Sequence, residues 1–160
     1  MTMLAQPPVA KAEMLIRRPA REVYEAFVDP VITTKFWFTK SSGRLEAGKR
    51  AEWTWEMYGF STGANVLELE EDRRILLEWG DESGFTLVEW TFAPRGENET
   101  YVTIRNSGFQ GDADGIVAQA LDSTEGFAFV LAGLKALLEH GVRLNLVADK
   151  FPDAHVGKEG

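Results

Sequence analysis

The chain has no cysteine and only two histidines, His140 and His155, among its 160 residues. Without thiols there is no disulfide framework and no thiolate nucleophile, and a reducing compartment, the cytoplasm, is the expected setting. Two histidines far apart in sequence give no metal-ligand spacing. Ser41, Ser42 and Ser123 have no histidine near them in sequence, so a nucleophilic triad has no visible members. Neither metal nor cofactor is expected. No stretch approaches the ~20 apolar residues of a membrane-spanning helix. The opening MTMLAQPPVAKAEM lacks the basic head and apolar run of a secretory signal. Positive charge is short as well: 17 Lys and Arg stand against 25 Asp and Glu, a net charge of -8. Phosphate recognition needs a clustered basic surface, so nucleic acid is not an expected partner, and an anionic membrane is disfavoured by the same sign. Arg17, Arg18 and Arg21 form one basic knot near the start, read as the solvated entrance of a helix. GFQGDADG has three glycines but no Gly-Lys-Ser continuation, and its Asp112 and Asp114 would repel phosphate. Internal repeats and low-complexity segments are absent.

What is present is an ordinary globular composition, 44% hydrophobic and 26% charged. The length suits one domain over 1–160, with a core from about 10 to 141 and a tail over 142–160 whose end frays. VAKAEMLIRR reads as a first strand. Pro19, preorganised for a first helical position, opens a helix that Asp29-Pro30 stops. A second short helix is predicted from Val31 to about Phe36. GRLEAGKRAEWTWEMYGF suggests two strands around Ala47-Gly48. ANVLELEED and RRILLEWGD suggest a hairpin turning at Asp72, and FTLVEWTFAP and TYVTIRNSG another joined by RGENE. Six strands in succession with short turns imply a meandering antiparallel sheet. The last long element is a helix from about Ile116 to His140, with Gly141 as its cap.

Alternation assigns the faces. Ala51, Trp53, Trp55 and Met57 share one side, joined by Ile75, Leu77 and Trp79, by Val88, Trp90 and Phe92, and by Val102, Ile104 and Asn106. The other side is mostly polar, broken by Leu76 and Leu87. On the long helix, Val117, Ala120, Leu121, Thr124, Phe127, Ala128, Leu131, Leu134 and Leu138 fall on one stripe that must cover the apolar sheet face. Val130 and Leu137 form a side stripe. A second face, with Phe129 near Gly126, Gly133 and Ala136, is smooth enough for something to pack there: the LNLV of the tail, or a homodimer partner. The order strand, two short helices, six strands, long helix makes this an α+β protein, a curved sheet of about 6–7 strands gripping a C-terminal helix.

In this arrangement IRRPAREVYEAFVDP, FWFTKSSGRLEAGKR, VEWTFAP with TYVTIRNSGF, and EGFAFVLAGLKALLEHG resemble, in order and spacing, the START-like (SRPBCC) superfamily. The nearest subgroup is the bacterial family similar to the C-terminal domain of the activator of the heat-shock protein 90 ATPase. The resemblance covers residues 10 to 141. It implies a helix-grip fold with a hydrophobic cavity between sheet and long helix, in a superfamily whose members bind lipids, polyketides and other apolar molecules and include some cyclases. Two positions depart from the pattern. Phe127 follows Gly126 where tryptophan is common, and Asn106 stands in RNSGF where histidine is common. An amide cannot titrate, which weakens acid–base chemistry there.

Three functions follow as expectations. The favoured one is non-catalytic binding of a small apolar or aromatic molecule. Its cavity would be lined by Tyr24, Trp37, Trp53, Trp55, Trp79, Trp90, Phe92, Asn106, Phe109, Phe127 and Leu131. So many large rings under a single helix either fill the gap themselves or surround a space, since each covers roughly 150–250 Å². Trp37 and Phe109 are expected in loops at the mouth. Asn106 is the best polar candidate inside, with Tyr24 and Asn65 behind it. The second is a chaperone-associated stress protein acting through its surface, on family analogy alone. The third is a cyclase-like or hydrolase-like enzyme, for which no inner carboxylate is visible as a base. A monomer or weak homodimer suits all three.

Overall fold

A computed structural model describes residues 4–81 and 83–157. Seven antiparallel strands form one sheet in the order β1-β7-β6-β5-β4-β3-β2. They are β1 (Ala10–Ile16), β2 (Lys40–Ser41), β3 (Arg50–Trp55), β4 (Phe60–Glu70), β5 (Arg74–Asp81), β6 (Gly84–Pro94) and β7 (Thr100–Ser107). Two short helices, α1 (Ala20–Val28) and α2 (Pro30–Thr33), follow β1; the long helix α3 (Ala113–His140) follows β7, and α4 (Leu146–Lys150) follows α3. This is the expected helix-grip fold. No helix among the described residues is long and apolar enough to cross a membrane.

The alternation fixes which face packs. Ala51, Trp53, Ile75, Leu77, Val88, Trp90, Phe92, Val102 and Ile104 are all buried on the inner face. Leu87, which broke the pattern, is exposed on the outer one. Pairing among β5, β6 and β7 is regular: Trp90 lies opposite Ile75 on β5 and Ile104 on β7, so three strands contribute to one apolar row. The β4–β5 hairpin turns at Asp72, whose positive φ of 64° is the left-handed turn conformation.

Helix ends obey local chemistry. Pro19 sits just outside α1 as its cap rather than within its first turn. The Asp29 carboxylate accepts the Val31 N–H at 3.0 Å, and the buried Thr33 hydroxyl donates to the carbonyls of Ala26 and Asp29. The Asp112 carboxylate accepts the Gly115 N–H at 2.7 Å to start α3. Gly141, at φ 65°, ends it, with its N–H on Leu137 O and that of Val142 on Ala136 O.

Several expectations are corrected. The second helix stops at Thr33, because the chain turns there to bring Phe36, Trp37 and Phe38 inward. No strand lies between β2 and Gly48. That segment is a loop pinned by buried Leu45, whose N–H donates to Val28 O, and the strand pairing with the free side of β3, away from β4, is the two-residue β2. Met57 lies in a 3-10 turn, Glu56–Tyr58, beyond the end of β3. On α3 the stripe is rotated: Leu121 is 68% exposed, Val117 and Ala128 also face outward, and Val130, assigned to the side, is buried. The 28-residue α3 is about 42 Å long. Of the LNLV segment, expected to pack on the second face of α3, Leu144 is exposed while Leu146 and Val147 are half-buried through α4, ahead of buried Ala148, and Gly133 packs against Phe36. The fraying expected at the C-terminus concerns 158–160, outside the described residues.

Candidate functional site

Between residues 119–130 of α3, the inner face of β3, β5, β6 and β7, the turn after β3, and the C-terminal segment lies a cleft of about 480 Å³. Trp37, Trp55, Trp79 and Phe127 make its floor. The Trp37 ring centre is 5.8 Å from those of both Trp79 and Phe127, and Trp55 stacks on Trp79 at 6.3 Å and 24°. Phe109 and Asn106 lie at the β7 end, while Tyr58, Phe60 and Phe129 continue the aromatic wall.

Of the eleven residues expected in the cavity, these floor residues with Asn106 and Phe109 are brought together. Trp37 was expected in a mouth loop; it is instead a buried hub that touches five other rings besides those of Trp79 and Phe127. The remaining five pack behind the floor as core. Trp53 stacks on Phe38 at 4.8 Å, Tyr24 meets Phe92 edge-on at 5.6 Å, Trp90 lies against Phe27, and Leu131 is fully buried. Burial pushes the Tyr24 phenol above its ordinary value, partly opposed by the Arg44 charge. The Trp90 Nε1–H is sealed in without a partner, the only such buried side-chain atom among the described residues. Asn65 is on the outer face, its amide oxygen accepting from Arg50.

Asn106 is 3% exposed. Its Nδ2 donates to Leu87 O at 2.9 Å and its Oδ1 accepts the Ser123 hydroxyl at 2.8 Å. In the sequence Ser123 shows only as a hydroxyl with no histidine near it, and nothing there marks it as the partner of Asn106. Sequence reasoning also missed Gln119, one helical turn before Ser123, and Asp122 and Glu125 within the same turn, all of which line the cleft. Their spacing on the helix was the available signal, obscured by placing Leu121 on the inner stripe. Asp122 and Glu125 are exposed carboxylates at the rim.

The C-terminal segment closes one side. Val147, Lys150 and Phe151 line the cleft. Lys150 pairs with Glu125, and the Tyr58 hydroxyl donates to the carbonyls of Val147 and Ala148. The His155 Nε2–H donates to Ala148 O at 2.7 Å, and the Val156 N–H donates to Met57 O at 2.8 Å. Among the described residues no cluster of His, Asp and Glu could hold a metal ion.

Residues 17–139 match the model of the family described as Activator of Hsp90 ATPase homolog 1-like protein. The C-terminal segment that closes the cleft lies beyond that match. No curated protein matches the chain significantly. Among solved structures it is similar to the protein SSP2350 from Staphylococcus saprophyticus, at 31% identity and TM-score 0.73, over 86% of this chain and 96% of that one. It is similar in fold to the Aha1 dimer from Colwellia psychrerythraea, at 18% identity and TM-score 0.72, over 84% and 98%. It is also similar in fold to DynU16, a protein of the dynemicin biosynthetic locus, at 20% identity and TM-score 0.74, over 84% of this chain and 48% of that one.

Proposed function

The chain belongs to the family of Activator of Hsp90 ATPase homolog 1-like proteins, and from that premise we propose that it binds a small apolar or aromatic molecule, without chemical turnover, in the cleft between its sheet and α3. The observation that carries this reading is the cleft itself: about 480 Å³, walled by aromatic rings, with a few placed polar groups at one end. Volume and lining are those of a small-molecule site, which typically spans ~300–1,000 Å³. A two-ring molecule burying about 250 Å² of apolar surface there would gain roughly 6 kcal/mol, reduced by the cost of association. The likeness to a protein of a biosynthetic locus is in keeping with such a ligand.

The test is a tryptophan-fluorescence titration with fatty acids, flavonoids and polyketide-like ring molecules. Trp37, Trp55 and Trp79 are on the wall, so occupancy shifts or quenches emission. No change with any of the three classes removes the reading.

A second reading has its own support, the family match over 17–139: surface contact with the Hsp90 chaperone and stimulation of its ATPase. It requires no ligand in the cleft. An ATPase assay and a pulldown with the bacterial chaperone decide it; neither stimulation nor binding would eliminate it.

A further inference from the structure

The polar end of the cleft has a direction. Leu87 O is a carbonyl and only accepts, so the amide nitrogen of Asn106 must face it and the amide oxygen must face Ser123. That oxygen also only accepts. The Ser123 hydroxyl proton is therefore committed to Asn106, and what Ser123 has left for the cleft is lone pairs. Gln119 repeats the pattern. Its Nε2 donates to Gln110 O at 2.8 Å and to Gly115 O at 3.1 Å, which leaves its oxygen as the free end. Asp122 and Glu125, which also line the cleft, are acceptors as well. The single cation on the wall, Lys150, stands at the mouth and is paired with Glu125.

Such an end rewards a donor and repels an anion. A hydroxyl or N–H on the ligand completes the chain ligand to Ser123 to Asn106 to Leu87, each member donating to the next or sharing its carbonyl. A methyl ether placed there confronts lone pairs with lone pairs. A carboxylate adds like charge beside Asp122 and Glu125 in a chain of net charge -8. Charge-assisted rescue by Lys150 would break its pair with Glu125.

We propose that Ser123 is the specificity residue of this cleft, and that it selects a neutral ring molecule bearing a hydroxyl or N–H over the same skeleton bearing an ether or a carboxylate. This rests on the binding reading above. Asn106 Oδ1 does not replace Ser123 for a seated ligand, because it already accepts the Ser123 hydroxyl and Asn106 is 3% exposed.

The experiment measures binding of 2-naphthol, 2-methoxynaphthalene and 2-naphthoate at pH 7 to the full chain and to its Ser123→Ala and Ser123→Thr variants. The naphthol binds about tenfold more tightly than the ether to the unaltered chain, since an unmatched hydrogen bond in a buried site discriminates on that scale. Ser123→Ala brings the two to parity by weakening the naphthol alone, and Ser123→Thr, which keeps the hydroxyl, restores the ratio. The naphthoate is weakest throughout. Parity in the unaltered chain, a ratio that survives Ser123→Ala, or tightest binding of the naphthoate overturns the selectivity while leaving ring binding in place. Binding of none of the three overturns the ring-binding reading and the selectivity together.

Discussion

The ammonium of Lys150 lies 5.6 Å from the centre of the Phe129 ring, and 5.5 Å from that of Phe151. Its charge is paired with Glu125, so one side chain fastens α4 to α3 across the mouth of the cleft. Both partners of the pair are a third or more exposed, and pairs of that kind contribute ~0.5 kcal/mol or less after screening. The effect of Lys150→Ala is therefore local. Global stability in urea changes by no more than about 0.5 kcal/mol. The Asp149 amide, which donates to Asn145 O at 3.0 Å within α4, exchanges faster in deuterium, because the segment opens more often. Unchanged exchange at Asp149 would show that Tyr58 and His155 hold the segment without help.

Phe127 and Leu121 separate the two halves of α3. Both were expected on the face that covers the sheet, yet Phe127 is 4% exposed among Trp37, Trp79 and Trp90, whereas Leu121 is 68% exposed. Phe127→Ala costs about 3–5 kcal/mol through lost burial and a partly unrelaxed void. Leu121→Ala stays within ~0.5 kcal/mol. Urea denaturation of both variants checks the pair, and comparable losses would contradict the rotation of the helix.

That contrast shows what the sequence makes legible. Strand alternation named the inner face correctly on β3, β5, β6 and β7, because a period of two admits one solution once a single face is apolar, whereas β4 was not assigned and its Asn65, expected inside, faces outward. The 3.6 period of α3 is looser. Ala120, Leu121, Phe127 and Ala128 fit two neighbouring stripes, and only the sheet beneath decides between them. The cleft was legible as an excess of rings. Which rings face it was not: Trp37 sits in a segment without periodicity, and its inward turn depends on the Thr33 hydrogen bonds to Ala26 and Asp29. Ser123 became visible only when the neighbour of Asn106 was known. Lys150 and Phe151 reach the site by a chain reversal at Gly141 and Asn145, both at positive φ, whose destination no local pattern encodes.

Glu139 ties the end of α3 to β1 and carries a pH dependence. Its side chain is 7% exposed, and its Oε2 accepts the Arg17 N–H at 2.8 Å and Lys135 Nζ at 2.7 Å, while Lys135 also donates to Leu15 O. Burial pushes the carboxyl up, but Lys135 and Arg17 together outweigh it, and the net direction is below the ordinary 4.5. A depressed folded-state pKa means that the unfolded chain takes the proton more readily. The contribution to stability is complete above the unfolded value and disappears as pH falls through the folded one. Glu139→Gln therefore costs about 1–2 kcal/mol at pH 7, in the range for a charged hydrogen bond. The gap to the unaltered chain narrows below about pH 4.5 as the carboxyl protonates. Denaturation curves at pH 7, 5 and 3 check it; a gap that is constant with pH would assign the loss to packing rather than charge.

Gly126 offers a way to fill the cleft without disturbing the fold. It lies on the wall within α3, and a Cβ built there meets nothing within 4 Å. Its conformation is helical, so a larger residue brings no backbone strain, and replacing glycine inside a helix gains roughly 0.5–1 kcal/mol. Gly126→Leu is therefore at least as stable as the unaltered chain to heat, while its side chain occupies space that a ligand would need. Affinity for any ring molecule bound by the unaltered chain falls about tenfold or more, the scale of a side chain of four carbons in conflict with the ligand. The same variant divides the two functional readings. A chaperone contact made by the outer surface survives it, whereas an effect on the chaperone that depends on a seated ligand is lost together with binding. A variant that is as stable as the original and binds ring molecules just as tightly would place their site elsewhere than between the sheet and α3.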